Sequence, residues 1–205
     1  MQFDEAGQRT RRHGAWRHWL IGLLLATSGM MALAAQTPTQ RVEQTIDAIV
    51  KVLHADGTDR EEKWRQIGAI IDEGFDFQSM SQSVLARNWQ AATKEEKRQF
   101  VEFFSQYLEE TYRAKIESHT NQRVDVLKET VRGERAVVNT AIVTDANSIP
   151  VDYKLKLNGD TWFAYDVVIE GISLVNNYRN TFDAIVKSEG MDGLLRDLEG
   201  RIARH

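Results

Sequence analysis

Apolar side chains recur at every third or fourth position over the first part of the chain, which is the spacing of amphipathic helices. Pro38 precedes one such stripe and suits a helix start, while Asp59 followed by Glu62 three residues later is an N-cap pattern before a second stripe. The second stripe ends at Gly74, where a glycine can close a helix. A third, shorter helix is predicted over residues 80–89.

The longest predicted helix begins at Thr93, which forms another N-cap pattern with Glu96, and continues to about residue 118. Its apolar stripe is broad and rich in aromatic side chains: Phe100, Phe103, Phe104, Tyr107, Leu108, Thr111, Tyr112 and Ile116.

From residue 123 onward, apolar positions alternate with polar ones, which is the period of β-strands. Two β-rich runs, over residues 124–131 and 135–144, precede a strand with one apolar face: Val151, Tyr153, Leu155 and Leu157. Asn158-Gly159 predicts a tight hairpin turn. The following strand is predicted to direct four side chains to the inner face: Phe163, Tyr165, Val167 and Ile169.

Helical spacing returns at about Ser173 and continues to Gly190, which is predicted to end that helix before a last short one. Helices, then strands, then helices indicate an α+β domain. We predict a curved, antiparallel, four-stranded sheet covered by helices around an apolar cavity, in the manner of an NTF2-like cone.

The N-terminal segment has the layout of a secretory signal peptide. Four arginines within residues 1–18 precede an uncharged stretch, which leads to small residues at Ala32 and Ala34. The alternative is a transmembrane anchor, but a bilayer span needs about 20 apolar residues, and this run is diluted by Gly22, Thr27, Ser28 and Gly29. We therefore predict a signal peptide over residues 1–34 and a single domain over residues 35–205.

Charge and cysteine usage exclude several classes of function. Residues 1–34 carry four basic and two acidic residues, so the remaining chain has 22 basic and 28 acidic residues. An acidic chain of this kind is a poor candidate for binding nucleic acid, because phosphate contacts need clustered Lys and Arg. The chain has no cysteine, so it forms no disulfide and offers no thiol nucleophile.

Candidate catalytic groups are few. The remaining chain has three histidines in three separate regions, so a metal site is not predicted: His54, His119 and His205. Asp152 alternates outward, and we interpret Asp166, expected near Trp162, as a structural hydrogen-bond acceptor. The alternative is an enzyme on an NTF2-like cone, with one of these carboxylates as the base and Tyr153 or Tyr165 as the proton donor.

The aromatic residues on the predicted core faces allow two interpretations. Periodicity alone favours an ordinary packed core. A cavity for an amphiphile would also use such side chains, because tyrosine combines an apolar body with a polar tip. An interaction module of the cell envelope with a filled core is a further alternative to both an enzyme and a carrier.

Short segments follow one another in a characteristic order: Phe75-Asp76-Phe77-x-x-Met80-Ser81-x-x-Val84-Leu85 with Trp89 beyond, Glu95-x-x-x-x-Phe100-x-x-x-Phe104, Thr111-Tyr112, Ile149-Pro150-Val151-Asp152-Tyr153, residues 162–179, and Gly190-x-Asp192-Gly193-Leu194. In this order they resemble the motifs of the MlaC-type periplasmic phospholipid-binding proteins, over about residues 40–205. One position departs from the pattern, since Ala86 stands where the resemblance leads us to expect glycine.

The resemblance implies a soluble periplasmic carrier and not an enzyme, with phospholipid as cargo and no cofactor or metal. The implied partners are an inner-membrane ABC transporter complex with its MCE-domain subunit and an outer-membrane lipoprotein–porin complex, in a system that maintains lipid asymmetry and toluene tolerance. We predict that the long helix, the inner sheet face and the helix from Ser173 form the lipid-binding walls: Phe100, Phe104, Tyr107, Leu108, Tyr112, Val151, Tyr153, Leu155, Phe163, Tyr165, Val167, Ile169, Ile172, Leu174, Val175 and Tyr178.

Overall fold

Within the described residues, 36–118 and 122–204, five helices precede the first strand in the computed structural model. They are α1 (Pro38–Leu53), α2 (Arg60–Gly74), α3 (Phe77–Leu85), α4 (Arg87–Ala91) and α5 (Lys94–Ser118). The predicted signal peptide, residues 1–34, lies outside the described residues. Among the described residues, no helix is long and apolar enough to cross a membrane.

The helix starts depend on local hydrogen bonds between neighbouring residues. Before α5, the Thr93 backbone N–H donates to Glu96 Oε2 at 2.6 Å, and the Glu96 N–H donates to Thr93 Oγ1 at 3.2 Å. Before α2, Asp59 Oδ1 accepts from the Glu62 N–H at 3.0 Å, whereas the Glu62 carboxylate binds Arg65. Both predicted N-caps are confirmed, the first as a complete capping box.

Gly74 is the last residue of α2, as predicted, but its role is close packing and not a left-handed turn. The following residue, Phe75, is extended, with φ −115°. A Cβ atom at Gly74 would lie 3.2 Å from Thr45 Cγ2 on α1. The glycine therefore lets α1 and α2 pack closely against each other.

The single helix predicted over residues 80–89 is two helices in the structure. Ala86, between α3 and α4, has φ 49° and ψ −117°. This backbone conformation favours glycine, because a Cβ atom clashes with the backbone there. The break therefore lies where the resemblance leads us to expect glycine.

Within the described residues, the sheet has five strands and not the predicted four: β1 (Arg123–Arg132), β2 (Arg135–Val143), β3 (Ser148–Asn158), β4 (Thr161–Ile169) and β5 (Ile172–Ser173). All neighbouring pairs are antiparallel, in the spatial order β1-β2-β3-β4-β5. The extra strand β5 forms because Glu170 and Gly171, with φ 50° and 82°, make a tight turn back along β4. The predicted α+β class with an antiparallel sheet is confirmed.

The β3–β4 hairpin turn lies one residue later than predicted. Asn158 pairs with Thr161, so the two turn residues are Gly159 and Asp160. Gly159 has φ 59°, which is the left-handed conformation that such a turn requires. Asn158 is therefore the last residue of β3 and not part of the turn.

A bulge in β4 reverses which side chains face inward. Leu155 opposes Ala164, but the preceding residue Lys154 opposes Asp166, so Tyr165 is an extra residue in β4. Because strand alternation has a period of two, one extra residue exchanges the two faces. The inner face of β4 therefore carries Trp162, Ala164, Val167 and Ile169.

The final helical segment, α6 (Leu174–Ile202), begins and breaks where predicted. Ser173 is the N-cap, and its Oγ accepts from the Asn176 N–H at 3.1 Å. Gly190 interrupts the helix with φ 73° and ψ −176°. This break separates the long part of α6 from a short last helix.

Candidate functional site

A cavity of about 1250 Å³ lies between the inner face of the sheet and helices α1, α2 and α5. Pockets for small molecules are typically about 300–1,000 Å³, so this one suits a larger ligand. The sheet contributes mostly aliphatic side chains to its wall: Arg123, Val124, Val126, Ile142, Ile149, Val151, Tyr153, Leu155, Ala164, Val167 and Ile169.

Helix α1 forms the opposite wall with its apolar stripe: Val42, Ile46, Ile49, Val50 and Leu53. Within this stripe only Val42 is buried; the other four side chains are half-buried and line the cavity, and Ile46 also packs against the core cluster that contains Val138. Helix α2 adds Trp64, Gly68, Ala69 and Ile71. The sequence prediction missed these two helices as walls, although the amphipathic stripe of α1 was the available signal.

The structure brings half of the predicted wall residues to the cavity. They come from α5, the sheet and the start of α6: Leu108, Tyr112, Val151, Tyr153, Leu155, Val167, Ile169 and Leu174. Their contact with lipid stays a prediction.

A second group of predicted wall residues lies in the packed core between α5 and α6. Phe100 and Phe104 are fully buried, with ring centroids 5.8 and 5.7 Å from Phe182. Tyr178, in α6, stacks on Phe182 at 5.5 Å and contacts the ring of Tyr107 at 5.7 Å. Among the described residues, Leu174 is the cavity-lining member of α6, and Val175 is buried in the core. Beyond its first residue, α6 therefore lies in the core and not at the cavity wall, and its contact with lipid stays a prediction.

The predicted orientation of Phe163 and Tyr165 is also wrong. The bulge turns both side chains to the face opposite the cavity, where Tyr165 stacks under the guanidinium of Arg135 at 4.8 Å. Phe163 contacts the Arg41 guanidinium at 5.8 Å. Ile172, on β5, is 62% exposed and does not line the cavity.

Two half-buried tyrosines, Tyr112 and Tyr153, bring hydroxyl groups to the cavity wall. Burial raises the pKa of Tyr153 to about 12, so its hydroxyl keeps its proton. Burial also raises the pKa of Tyr112, whose hydroxyl lies beside those of Tyr178 and Tyr107. Both hydroxyls are therefore neutral at physiological pH and can donate hydrogen bonds.

Two of the acidic residues on the cavity wall, Asp72 and Glu109, lie close together on α2 and α5. Burial raises the pKa of Asp72 and of Glu109, and the Arg113 guanidinium partly opposes this effect at Glu109. Arg113 Nη2 lies 3.7 Å from Glu109 Oε1 and 2.9 Å from Glu110 Oε1. A Cβ atom at Gly68 would lie 3.3 Å from Glu109 Oε2, so glycine leaves room for this carboxylate.

Polar side chains also join α2 to the end of α5. Arg60 Nε donates to Glu117 Oε1 at 2.9 Å, and the Trp64 indole N–H donates to the same oxygen at 2.7 Å. These hydrogen bonds hold the pKa of Glu117 below its usual range, with Arg60 as the largest cause. Ion pairs and hydrogen bonds thus connect the two helices that border the cavity on this side.

The carboxylates of the enzyme alternative lie outside the cavity wall. Asp166 is 3% exposed, and it accepts from Lys154 Nζ at 2.9 Å, Ser173 Oγ at 2.8 Å and the Val175 N–H at 3.1 Å. These contacts confirm its structural role, although the bulge places it on the opposite face from Trp162. Asp152 faces the same way as Lys154 and does not line the cavity.

Metal-ligating groups are not clustered in the described part of the chain, where no three His, Cys, Asp or Glu side chains come together. Two of the three histidines, His119 and His205, lie outside the described residues. His54 follows α1 and is exposed. The candidate site is therefore an apolar cavity with tyrosine hydroxyls and acidic groups at its border.

Comparison with known proteins agrees with this geometry. The toluene tolerance protein ttg2D of Pseudomonas putida is 25% identical over 177 residues, which are 83% of this chain and 82% of the relative. The intermembrane phospholipid transport system binding protein MlaC of Haemophilus influenzae is 18% identical over 178 residues, 82% and 83% of the two chains.

A solved structure has the same fold. It is a phospholipid-binding protein from Ralstonia solanacearum in complex with a phospholipid, with a TM-score of 0.74 and 24% identity, covering 83% of this chain and 97% of that one. The model of the MlaC protein family matches residues 40–200. Because that match covers most of the chain, this protein belongs to the MlaC family.

Proposed function

We propose that this protein is a periplasmic carrier that binds the acyl chains of a glycerophospholipid in its cavity. It shuttles lipid between an outer-membrane and an inner-membrane Mla complex and so maintains outer-membrane lipid asymmetry. The observation that carries the proposal is an apolar cavity of about 1250 Å³ in a member of the MlaC family. The phospholipid held by the Ralstonia solanacearum protein and the name of the Haemophilus influenzae relative support it.

The physical demand on such a carrier is severe. Two acyl chains hold on the order of 30 methylenes, each worth ~0.8 kcal/mol out of water, so exposing both chains costs ~25 kcal/mol. The cavity must bury nearly all of both chains, and yet must hold them no more tightly than a membrane does. Aliphatic walls with few polar contacts meet both conditions.

The half-buried stripe of α1 supports this function. Ile46, Ile49, Val50 and Leu53 line the cavity and are half-buried, so protein atoms leave part of their apolar surface uncovered. Acyl chains supply the missing apolar contact, since burying such surface is favourable by roughly 25 cal/mol per Å². Lipid therefore completes the core on this side of the sheet.

The placement of the acidic groups supports binding without chemical conversion. Asp152 and Asp166, the proposed bases of the enzyme alternative, do not line the cavity. Glu109 does, but its near neighbour is the guanidinium of Arg113, which forms an ion pair and not a nucleophile–base pair. We therefore propose a carrier that leaves its lipid intact.

The experiment is organic extraction and native mass spectrometry of protein purified from the periplasm. We expect a non-covalent mass of diacyl-lipid size, with about one lipid per chain or fewer, and chemically intact lipid in the extract. Protein that is consistently free of lipid contradicts the carrier. Hydrolysed lipid instead supports the enzyme alternative.

A further inference from the structure

Tyr153 brings a hydroxyl group into an otherwise aliphatic part of the cavity. Among the described strand residues that line the cavity, the polar side chains are Arg123, at the first position of β1, and Tyr153, at the middle of β3. All other lining strand residues carry hydrocarbon side chains. A single donor at the centre of the wall therefore interrupts the apolar surface.

The neighbours of Tyr153 on this face are aliphatic. Val138 and Val167 are its cross-strand partners, and Val151 and Leu155 flank it along β3. All four are buried, with exposed fractions of 8% or less. The hydroxyl therefore lies in surroundings that offer no competing side-chain acceptor from the adjacent positions.

The Tyr153 hydroxyl has no hydrogen-bond partner among the described residues. Tyr112, the other tyrosine of the wall, differs in this respect, because the Tyr178 hydroxyl is near enough to its own hydroxyl to affect its pKa. The Tyr153 side chain is half-buried, so water can reach it in the empty cavity. When acyl chains displace that water, a hydroxyl without an acceptor is costly, and a ligand that supplies an acceptor removes that cost. Tyr153 thus points to an acceptor on the ligand.

The chemistry of a phospholipid limits which of its groups can accept this hydrogen bond. Acyl methylenes have none, and a phosphate carries charge that aliphatic neighbours cannot stabilise. The remaining acceptors of a diacyl glycerophospholipid are its ester carbonyls, which are neutral. We propose that the Tyr153 hydroxyl donates a hydrogen bond to an ester carbonyl of the bound lipid, so that Tyr153 sets the depth of the glycerol backbone and favours diester over diether lipids. This inference rests on the proposed carrier function.

The test compares two lipids that differ at the carbonyls. Delipidated mature protein is titrated with dipalmitoyl phosphatidylglycerol and with its dihexadecyl ether analogue, in wild type, Tyr153→Phe and Tyr165→Phe. A neutral hydrogen bond corresponds to about a five- to tenfold preference of the wild type for the ester. We expect Tyr153→Phe to lose this preference through weaker ester binding alone. Tyr165→Phe, on the opposite face of the sheet, should retain it.

A spectroscopic readout supports the binding data. The bound lipid is labelled with a heavy isotope at its ester carbonyls. Its carbonyl stretching frequency should be lower in wild type than that of the same labelled carbonyl without a hydrogen bond, and Tyr153→Phe should remove this shift. If Tyr153→Phe fails to fold, an unshifted band in wild type overturns the inference by itself. Equal affinity of wild type for both lipids, or a preference that persists in Tyr153→Phe, also overturns it. Failure of wild type to bind either lipid overturns the carrier function instead.

Discussion

Ala86 holds a backbone conformation that disfavours side chains, with φ 49° and ψ −117°, and its side chain is exposed. Such conformations cost of order 1–3 kcal/mol for a residue other than glycine, while glycine adds a smaller entropic cost to folding. We expect Ala86→Gly to raise the free energy of unfolding by ~1 kcal/mol, measured by denaturant titration. Ala114→Gly, at an exposed site inside α5, should lower it by ~1 kcal/mol. A loss of stability in both variants contradicts strain at Ala86.

Glu109 should lower the free energy of unfolding as pH rises, which is the opposite of the effect of a carboxylate whose pKa is lowered by folding. Burial raises its pKa in the folded state, so at neutral pH the ionised carboxylate is disfavoured in the folded protein and solvated in the unfolded one. Below its ordinary value of 4.5 it is protonated in both states and the penalty disappears. We therefore expect Glu109→Gln to be more stable than wild type at neutral pH, with the difference shrinking as pH falls toward that value.

The matched variant is Glu62→Gln, because hydrogen bonds from Arg65 and Gln66 lower the pKa of Glu62 to about 2. Its folded-state pKa is depressed, so its stabilisation is present above the ordinary carboxyl pKa and is lost as pH falls toward about 2. Glu62→Gln should thus be less stable than wild type at neutral pH. Thermal unfolding across this pH range measures both variants, and the same sign for both contradicts the assignment.

At the scale of elements, Asp166 connects β4, β3 and the start of α6 through its three hydrogen bonds. Asp166→Ala leaves Lys154, Ser173 and the Val175 N–H without their acceptor. Losing a buried partner of this kind costs ~3 kcal/mol. Denaturant titration should show this loss, whereas Asp152→Ala, on the neighbouring strand, should stay within ~0.5 kcal/mol of wild type. Similar effects of the two substitutions contradict the connecting role.

The register of β4 predicts which substitutions block lipid binding. Ile169 lines the cavity, so Ile169→Glu places a carboxylate among acyl chains, where it is poorly solvated. We expect this variant to fold, by circular dichroism, but to co-purify without lipid. Val137→Glu adds the same charge on the opposite face, across from Lys154, and should carry lipid normally. Normal loading of Ile169→Glu contradicts the assigned face.

At the scale of the whole molecule, unloading of the proposed carrier has to overcome the burial of both acyl chains. The acidic chain is not expected to bind anionic membranes by charge, so we propose that partner complexes at each membrane open the cavity. We expect slow transfer from loaded protein to liposomes alone and fast transfer to liposomes that contain the cognate transporter complex. Fluorescent lipid reports the rates, and the lipid should stay chemically intact. Fast transfer to bare liposomes supports a membrane-binding exchange protein instead.

The helix starts, the strand periods and the family of this protein were all predictable from the sequence. The N-caps at Asp59 and Thr93 depend on residues three positions apart, and the alternation in β3 depends on a period of two. Such signals are local, so they can be recognised in the sequence without knowing which helices and strands contact one another. The resemblance also leads us to expect glycine where Ala86 stands. The structure has a positive φ at this residue, which is a local backbone conformation that favours glycine.

Tertiary structure decided which apolar faces are walls and which are core. The bulge at Tyr165 exchanges the faces of β4, and a period-two pattern does not reveal one inserted residue. The aromatic side chains of α5 and α6 pack against each other because those two helices meet, while α1 and α2 face the sheet across a gap. Amphipathic stripes look alike in a sequence whether they face a neighbour or a cavity, since both remove apolar surface from water, and only the placement of the elements distinguishes the two.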